Sequence, residues 1–211
     1  MSFRDYIRFF DDYIIHLMIQ HVILFLIAFG AAVLVGIVLG IFIFRIAALR
    51  LLTPVINILQ ATPEIVLLAL CIPFLGIGYA GALVPLFVKG ILPVMQNTLG
   101  GLRNVDISMT EAARGMGMSD RQILFRVELL NALPVIIAGM RVASVMLISA
   151  ITLTAYIGVE SLGTLILQGI ARMDANPLLV GSGLSALLAV IVNQFMIFLE
   201  RAAMRAVGTR R

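Results

Sequence analysis

Two opposite charges stand in surroundings where neither is comfortable alone. Glu64 and Lys89, the latter the only lysine of the chain, each lie within a strongly apolar stretch. The stretches are joined by a short turn near Gly76-Ile77-Gly78 and therefore run antiparallel. At ~1.5 Å per residue both charges sit roughly 15–18 Å from that turn, so they are expected at similar depth. A lone charge near a bilayer centre costs at least ~2.5–3.5 kcal/mol, which demands a partner or a watery cavity. The chemistry open to them is an ion pair, either lining a translocation path or interface or fixing helix register. Gln96 and Asn97, which follow Pro93, are the other polar candidates for a path. Catalysis has no comparable footing. A phosphate-binding loop ends in Gly-Lys-Ser/Thr before a helix, and Lys89 is followed by Gly90 inside an apolar stretch. His16 and His21 have no metal-ligand partners at useful spacing, so neither a catalytic residue nor a metal site is assigned.

The second cluster lies outside the apolar stretches. Residues 102–131 form a hydrophilic loop whose centre reads Glu111-Ala112-Ala113-Arg114-Gly115-Met116-Gly117-Met118. Ser108 and Glu111 have capping-box spacing, as do Ser119 and Gln122: the hydroxyl accepts from a backbone N–H while the longer side chain reaches back. Gly117 between them suits a left-handed helix stop. The expectation is two short capped helices with a break, a rigid elbow built to touch a partner.

The elements that position these residues follow from hydropathy. Hydrophobic residues make up 62% of the chain and mean hydropathy is +1.12, far above a soluble domain. Stretches of roughly twenty apolar residues span a bilayer, and they are read near 22–44, 55–76, 79–101, 133–158 and 177–199. The fold class is all-α and polytopic, with about five transmembrane helices. One membrane domain, 1–211, divides into an outer segment 1–21, three spans in 22–101, the loop 102–131, and two spans with a basic tail in 132–211. Charged Arg4, Asp5, Arg8, Asp11 and Asp12 precede a full-length span, which argues against a cleaved signal peptide. Residues 3–17 place Phe3, Ile7, Phe10, Ile14 and Leu17 on one face, as an interfacial helix or as an extension of the first span. Pro63 and Pro73 interrupt the second span, and Pro85 and Pro93 the third, either opening a path or kinking helices for packing.

Charge sets the orientation. One side carries Arg45, Arg50, Arg103, Arg114, Arg121, Arg126, Arg201, Arg205, Arg210 and Arg211, the other only Arg4, Arg8 and Arg172. By the positive-inside rule the loop and C-terminus are cytoplasmic and the N-terminus is outside. The basic pI of 9.8 comes from these flanks, not from a clustered face that would bind nucleic acid. Arg141 is expected to snorkel to the inner interface. Cys71 is alone, so an intrachain disulfide is excluded.

With these residues in place, the loop resembles the EAA loop of ABC-type importer permeases: Glu-Ala-Ala, three residues, Gly, nine residues, Ile-x-Leu-Pro. Glu111, Ala112, Ala113, Gly117 and Leu129 match, Val127 stands for the isoleucine, and Leu130 replaces the proline. The resemblance implies a type I importer permease fold in a bacterial cytoplasmic membrane, with the loop docked on an ATP-binding cassette subunit. ATP and Mg would be bound by that partner, with no cofactor in this chain. It also implies a second permease chain, identical or related, and an extracytoplasmic substrate-binding protein. Glycines 30, 36 and 40, with 181 and 183, are expected to serve that permease–permease contact.

The resemblance extends over roughly residues 55–200. The runs PEIVLLALCIPFLGIG and LPVMQNTLGGLRNVD are most like permeases for osmoprotectants such as glycine betaine, carnitine and choline. Tyr156 to Gly163 is similar to their Ile-Gly-x-Gly-Gly-Leu-Gly segment, with departures at Val159, Glu160 and Ser161. A permease for another small solute such as methionine, or an ATP-independent channel or scaffold, are the alternatives. Quaternary ammonium groups are best held by aromatic cages. The four tyrosines, 6, 13, 79 and 156, look scattered, which places high-affinity capture on the binding protein.

Overall fold

The computed structural model describes residues 2–208, and the side chains of seven residues between 47 and 60, Arg50 among them, are outside that description. Arg210 and Arg211 of the basic tail also lie outside the described residues. The described residues form helices joined by short turns, with no strand among them. A short α1 (Phe3–Phe9) precedes the long α2 (Asp11–Arg45); a 3-10 turn leads to α3 (Thr53–Ala61), α4 (Glu64–Leu75) and α5 (Tyr79–Arg103). The loop carries α6 (Ile107–Gly115) and α7 (Asp120–Ile123). A π-helical turn, Leu124–Glu128, joins α7 to α8 (Leu129–Leu153), and α9 (Leu162–Arg172) and α10 (Ala175–Ala206) complete the chain.

Among the described residues, four helical rods are long and apolar enough to cross a membrane: Asp11–Arg45, Tyr79–Arg103, Asp120–Ile157 and Ala175–Ala206. The expected second span is divided into α3 and α4, because Pro63 takes an extended conformation (φ −56°, ψ 139°) and starts a new helix. Pro73, Pro85 and Pro93 do not interrupt anything: the first lies within α4 and the other two within an unbroken α5. A proline inside a membrane helix frees a carbonyl, which neighbouring helices or side chains can satisfy.

Helix α5 is the centre of the bundle, packed between α2 and α8, with α10 on the far side of α8. Leu24, Phe25 and Ala28 of α2 meet Ala82 and Leu86 of α5 and Leu147, Ile148 and Ile151 of α8 in the main core. Helix-to-helix approach in this core is set by glycine. A Cβ on Gly36 would meet Val94, one on Gly40 would meet Thr98 at 2.6 Å, and one on Gly90 would meet Ala32 at 2.8 Å. Gly181 closes on Leu162 and Leu165 in the same way, while Gly30 and Gly183 face nothing within 4 Å. Gly36, Gly40 and Gly181 therefore pack within the chain instead of being reserved for a second permease. Small residues give membrane helices their close contacts, since lipid offers no hydrophobic drive for association.

The N-terminal segment divides at Phe10. Residues 11–17 extend the first span, and only Phe3–Phe9 forms a separate helix. The buried face is Tyr6, Ile14 and Leu17, with Phe10 beside them, packed on Leu162, Leu165 and Val180; Phe3 and Ile7 are exposed.

Candidate functional site

The elbow is built by local rules, with one change of cap. Asp106, not Ser108, is the N-cap of α6: its carboxylate accepts from the Ser108 backbone N–H at 2.9 Å. Ser108 lies inside the first turn, where Glu111 has no N-cap hydroxyl to complement. These hydrogen bonds from Ser108 hold the Asp106 carboxyl below the usual carboxylate range. At the other end, Gly117 takes φ +81°, its N–H bonds to Arg114 O at 3.0 Å, and Met118 N–H bonds to Ala113 O at 3.1 Å. This pair of bonds is a Schellman stop. The Ser119 box forms as the spacing predicts: Gln122 N–H reaches Ser119 Oγ at 3.4 Å, and Ser119 N–H reaches Gln122 Oε1 at 2.8 Å.

What α6 presents outward is Glu111, Ala112, Arg114, Gly115 and Met116, with only Ala113 buried. Met116 is 76% exposed and Ile107 72%, at a place already outside the spans. Arg114 meets Asp120 at 3.3 Å across the break. The elbow is thus rigid yet unpartnered on its outer surface.

The second half of the elbow is not a separate helix. Helix α7, the π turn and α8 form one rod from Asp120 to Ile157, because no breaker separates them. The π turn carries Glu128, 7% exposed as a residue. Its carboxylate receives the Arg45 guanidinium at 2.9 Å, and Arg45 also donates to the Asp120 carbonyl at 3.2 Å. Arg45, in addition, lies over the Phe44 ring. The elbow-side end of the first span is clamped to the elbow by two residues that carry no such signal in the sequence: Arg45 counts there only as orienting charge, and nothing singles out Glu128. Their separation of 83 positions leaves no local signal.

Glu64 and Lys89 are brought to one small cavity of about 10 Å³ with Leu68, Pro85, Leu86 and Ala150, room for about one water. They do not come within the 4.0 Å of an ion pair with each other. The Lys89 ammonium instead donates to the Thr62 carbonyl. That carbonyl precedes the break at Pro63, and the following amides of Val66 and Leu67 bond to Pro63 O, so helix interruption leaves it an acceptor for lysine. Asn97 turns inward to the Pro93 carbonyl at 2.8 Å and packs on Gly139 of α8; Gln96 beside it is half-buried. Arg141 pairs with Glu200 of α10 at 3.3 Å.

The segment Tyr156 to Gly163 is locally well made. Gly158 takes φ +75°, and a Cβ on Gly163 would run into the Thr152 carbonyl, so both glycines are required. Val159 is buried in the main core, Ser161 caps α9 with Thr164, and Glu160 reaches His16 at 2.9 Å.

Residues 32–205 match the family model described as binding-protein-dependent transport system inner membrane component. The carnitine transport permease protein OpuCB of Listeria monocytogenes is 39% identical over 138 residues, 65% of this chain. This chain spans 63% of the length of that relative. A Bacillus subtilis glycine betaine/carnitine/choline transport system permease protein, also OpuCB, is 31% identical over 183 residues, 86% of this chain and 84% of that one. A solved structure of the MetNI methionine ABC transporter superposes with a TM-score of 0.81 at 21% identity, covering 90% of this chain and 95% of that one, which shows the fold. With its apolar rods, close-packed glycines and capped elbow, the chain belongs to the binding-protein-dependent transport system inner membrane components.

Proposed function

We propose that this chain is the conducting and coupling subunit of an ATP-driven importer of quaternary-amine osmoprotectants such as glycine betaine, carnitine or choline. A partner ATP-binding cassette subunit binds ATP and Mg and docks on the elbow, Glu111 to Met118. A second permease chain completes the path, and an extracytoplasmic binding protein delivers solute. The elbow faces the cytoplasm and the N-terminus the outside, as the positive-inside rule requires.

The observation that carries this reading is the elbow itself: apolar Ile107 and Met116 are exposed at the two ends of a capped helix, in an elbow whose other half is clamped to the first span by Arg45–Glu128. Exposed apolar side chains rimmed by polar ones mark an interaction surface. Motion of a docked partner would pass into α8 through the continuous rod and into α2 through Arg45–Glu128. The names of the relatives support the solute class.

The test is purification through this chain in mild detergent, followed by solute-stimulated ATP hydrolysis with each quaternary amine and with methionine. A bound ATPase whose turnover rises with glycine betaine, carnitine or choline supports the proposal. Recovery of this chain alone, with solute flux in vesicles lacking nucleotide, overturns it in favour of a channel.

A further inference from the structure

The tyrosines that look scattered in sequence are not all scattered in space. At the end of the bundle opposite the elbow, Tyr6, Phe10 and Tyr13 line one recess of about 150 Å³ together with Gln168, Arg172 and Asp174. This is far more than the roughly 10–15 Å³ a single water needs. The aromatic wall comes from α1 and the start of α2, and the polar wall from α9 and the cap of α10. The recess is about 48 Å along α2 from Arg45, by the helical rise between residues 13 and 45.

Its chemistry is two-ended. The Tyr6 and Phe10 rings are tilted at 38° with centroids 4.8 Å apart, and the Tyr13 hydroxyl is fixed by the Gln168 amide at 3.2 Å. Aromatic faces attract a cation whose charge is spread over methyl groups, and a carboxylate adds to that attraction. Asp174 supplies the carboxylate, and its charge, after burial, helps to raise the Tyr6 phenol. Asp174 also accepts from the Asn176 backbone N–H at 3.0 Å, which holds it in place as the α10 cap. Arg172 supplies the opposite charge for an anionic end.

We propose that this recess binds zwitterionic trimethylammonium carboxylates, the ammonium against the three rings and Asp174 and the carboxylate toward Arg172. It is a receiving site on the permease itself, separate from the Glu64–Lys89 cavity. The proposal rests on the quaternary-amine reading above and deepens it.

The test uses the permease–ATPase complex without binding protein, in nanodiscs free of choline lipids, with glycine betaine observed by saturation-transfer NMR at its N-methyl signal. Tyr13→Leu and Asp174→Asn are each expected to weaken binding by about tenfold. The isostere 3,3-dimethylbutanoate, which keeps the carboxylate but replaces the ammonium nitrogen by carbon, should bind far more weakly than betaine, and Arg172→Gln should weaken betaine but not choline. Equal signals in wild type and both variants, equal binding of the isostere, or displacement of betaine by phosphatidylcholine would each overturn the proposal. Betaine-stimulated ATP hydrolysis with binding protein is measured on the same samples. Stimulation with no recess signal leaves the importer reading standing and removes this one, whereas absence of stimulation in wild type removes the importer reading itself.

Discussion

Severing the Arg45–Glu128 clamp should loosen the elbow from the first span without unfolding the bundle. The pair is closed at 2.9 Å, with the Glu128 side chain 9% exposed and that of Arg45 36% exposed. Two unit charges 4 Å apart attract by about 4 kcal/mol at an effective dielectric of 20. Desolvation of the glutamate offsets much of that. The net loss on removing one partner is then about 1–3 kcal/mol, because an acceptor of high demand is left unmet. The larger penalty of a fully buried pair does not apply, since Arg45 reaches solvent. For a chain of this size 1 kcal/mol shifts Tm by about 2–4 °C, so Arg45→Met should lower it by roughly 2–12 °C. Glu128→Gln should lie at the small end, because Gln still accepts a hydrogen bond. The double variant is the decisive arm: each single loss includes a partner left behind, and both are absent when the pair is gone. Its Tm should be higher than the sum of the single shifts predicts. Additive shifts in a detergent thermal-unfolding series would refute the clamp. So would unchanged hydrogen exchange across Asp120–Glu128 in Arg45→Met.

Other perturbations test the elbow and the core. Gly117→Val forces a β-branched residue into φ +81°, at a cost of roughly 1–2 kcal/mol, and should reduce coupled ATP hydrolysis; activity equal to wild type would count against the elbow as transmitter. Because the Asp106 carboxyl is depressed, its contribution to α6 is present above the unfolded value near pH ~3.9 and lost as pH falls through the folded value. Amide protection of α6, corrected for intrinsic exchange, should fall over that acidic window in wild type and stay flat in Asp106→Asn, which caps without titrating. Gly139→Val would place a Cβ 2.5 Å from that of Asn97, and overpacking of ~1–3 kcal/mol should appear as a lower Tm, whereas Gly183→Ala should change little. Lys89→Met should destabilise by about 1–3 kcal/mol through the orphaned Thr62 carbonyl, while Glu64→Gln should be milder; equal effects would favour a direct pair.

What could be read from the sequence was local or periodic. Four of five spans, the stop at Gly117 and the Ser119–Gln122 box depend on residues within one helical turn or one apolar run, and each formed where expected. The misplaced cap shows the limit of such rules: Asp106 and Ser108 both satisfy a capping pattern, and only the backbone conformation of Asp106, extended at ψ 127°, selects between them. Proline carried the same ambiguity. Pro63 begins a new helix and Pro93 lies inside an unbroken one, and residue type alone does not distinguish them. Long-range pairing lay beyond any local signal. Arg45 meets Glu128, Lys89 caps the break at Thr62, Gly36 and Gly40 admit α5, and Tyr6 and Tyr13 share one recess with Asp174. The residues alone determined a membrane bundle with a stiff elbow, since hydropathy and capping act along the chain. Which charges meet, which glycines are covered and which aromatic rings share a recess were decided by helix packing, where contact depends on distance in space.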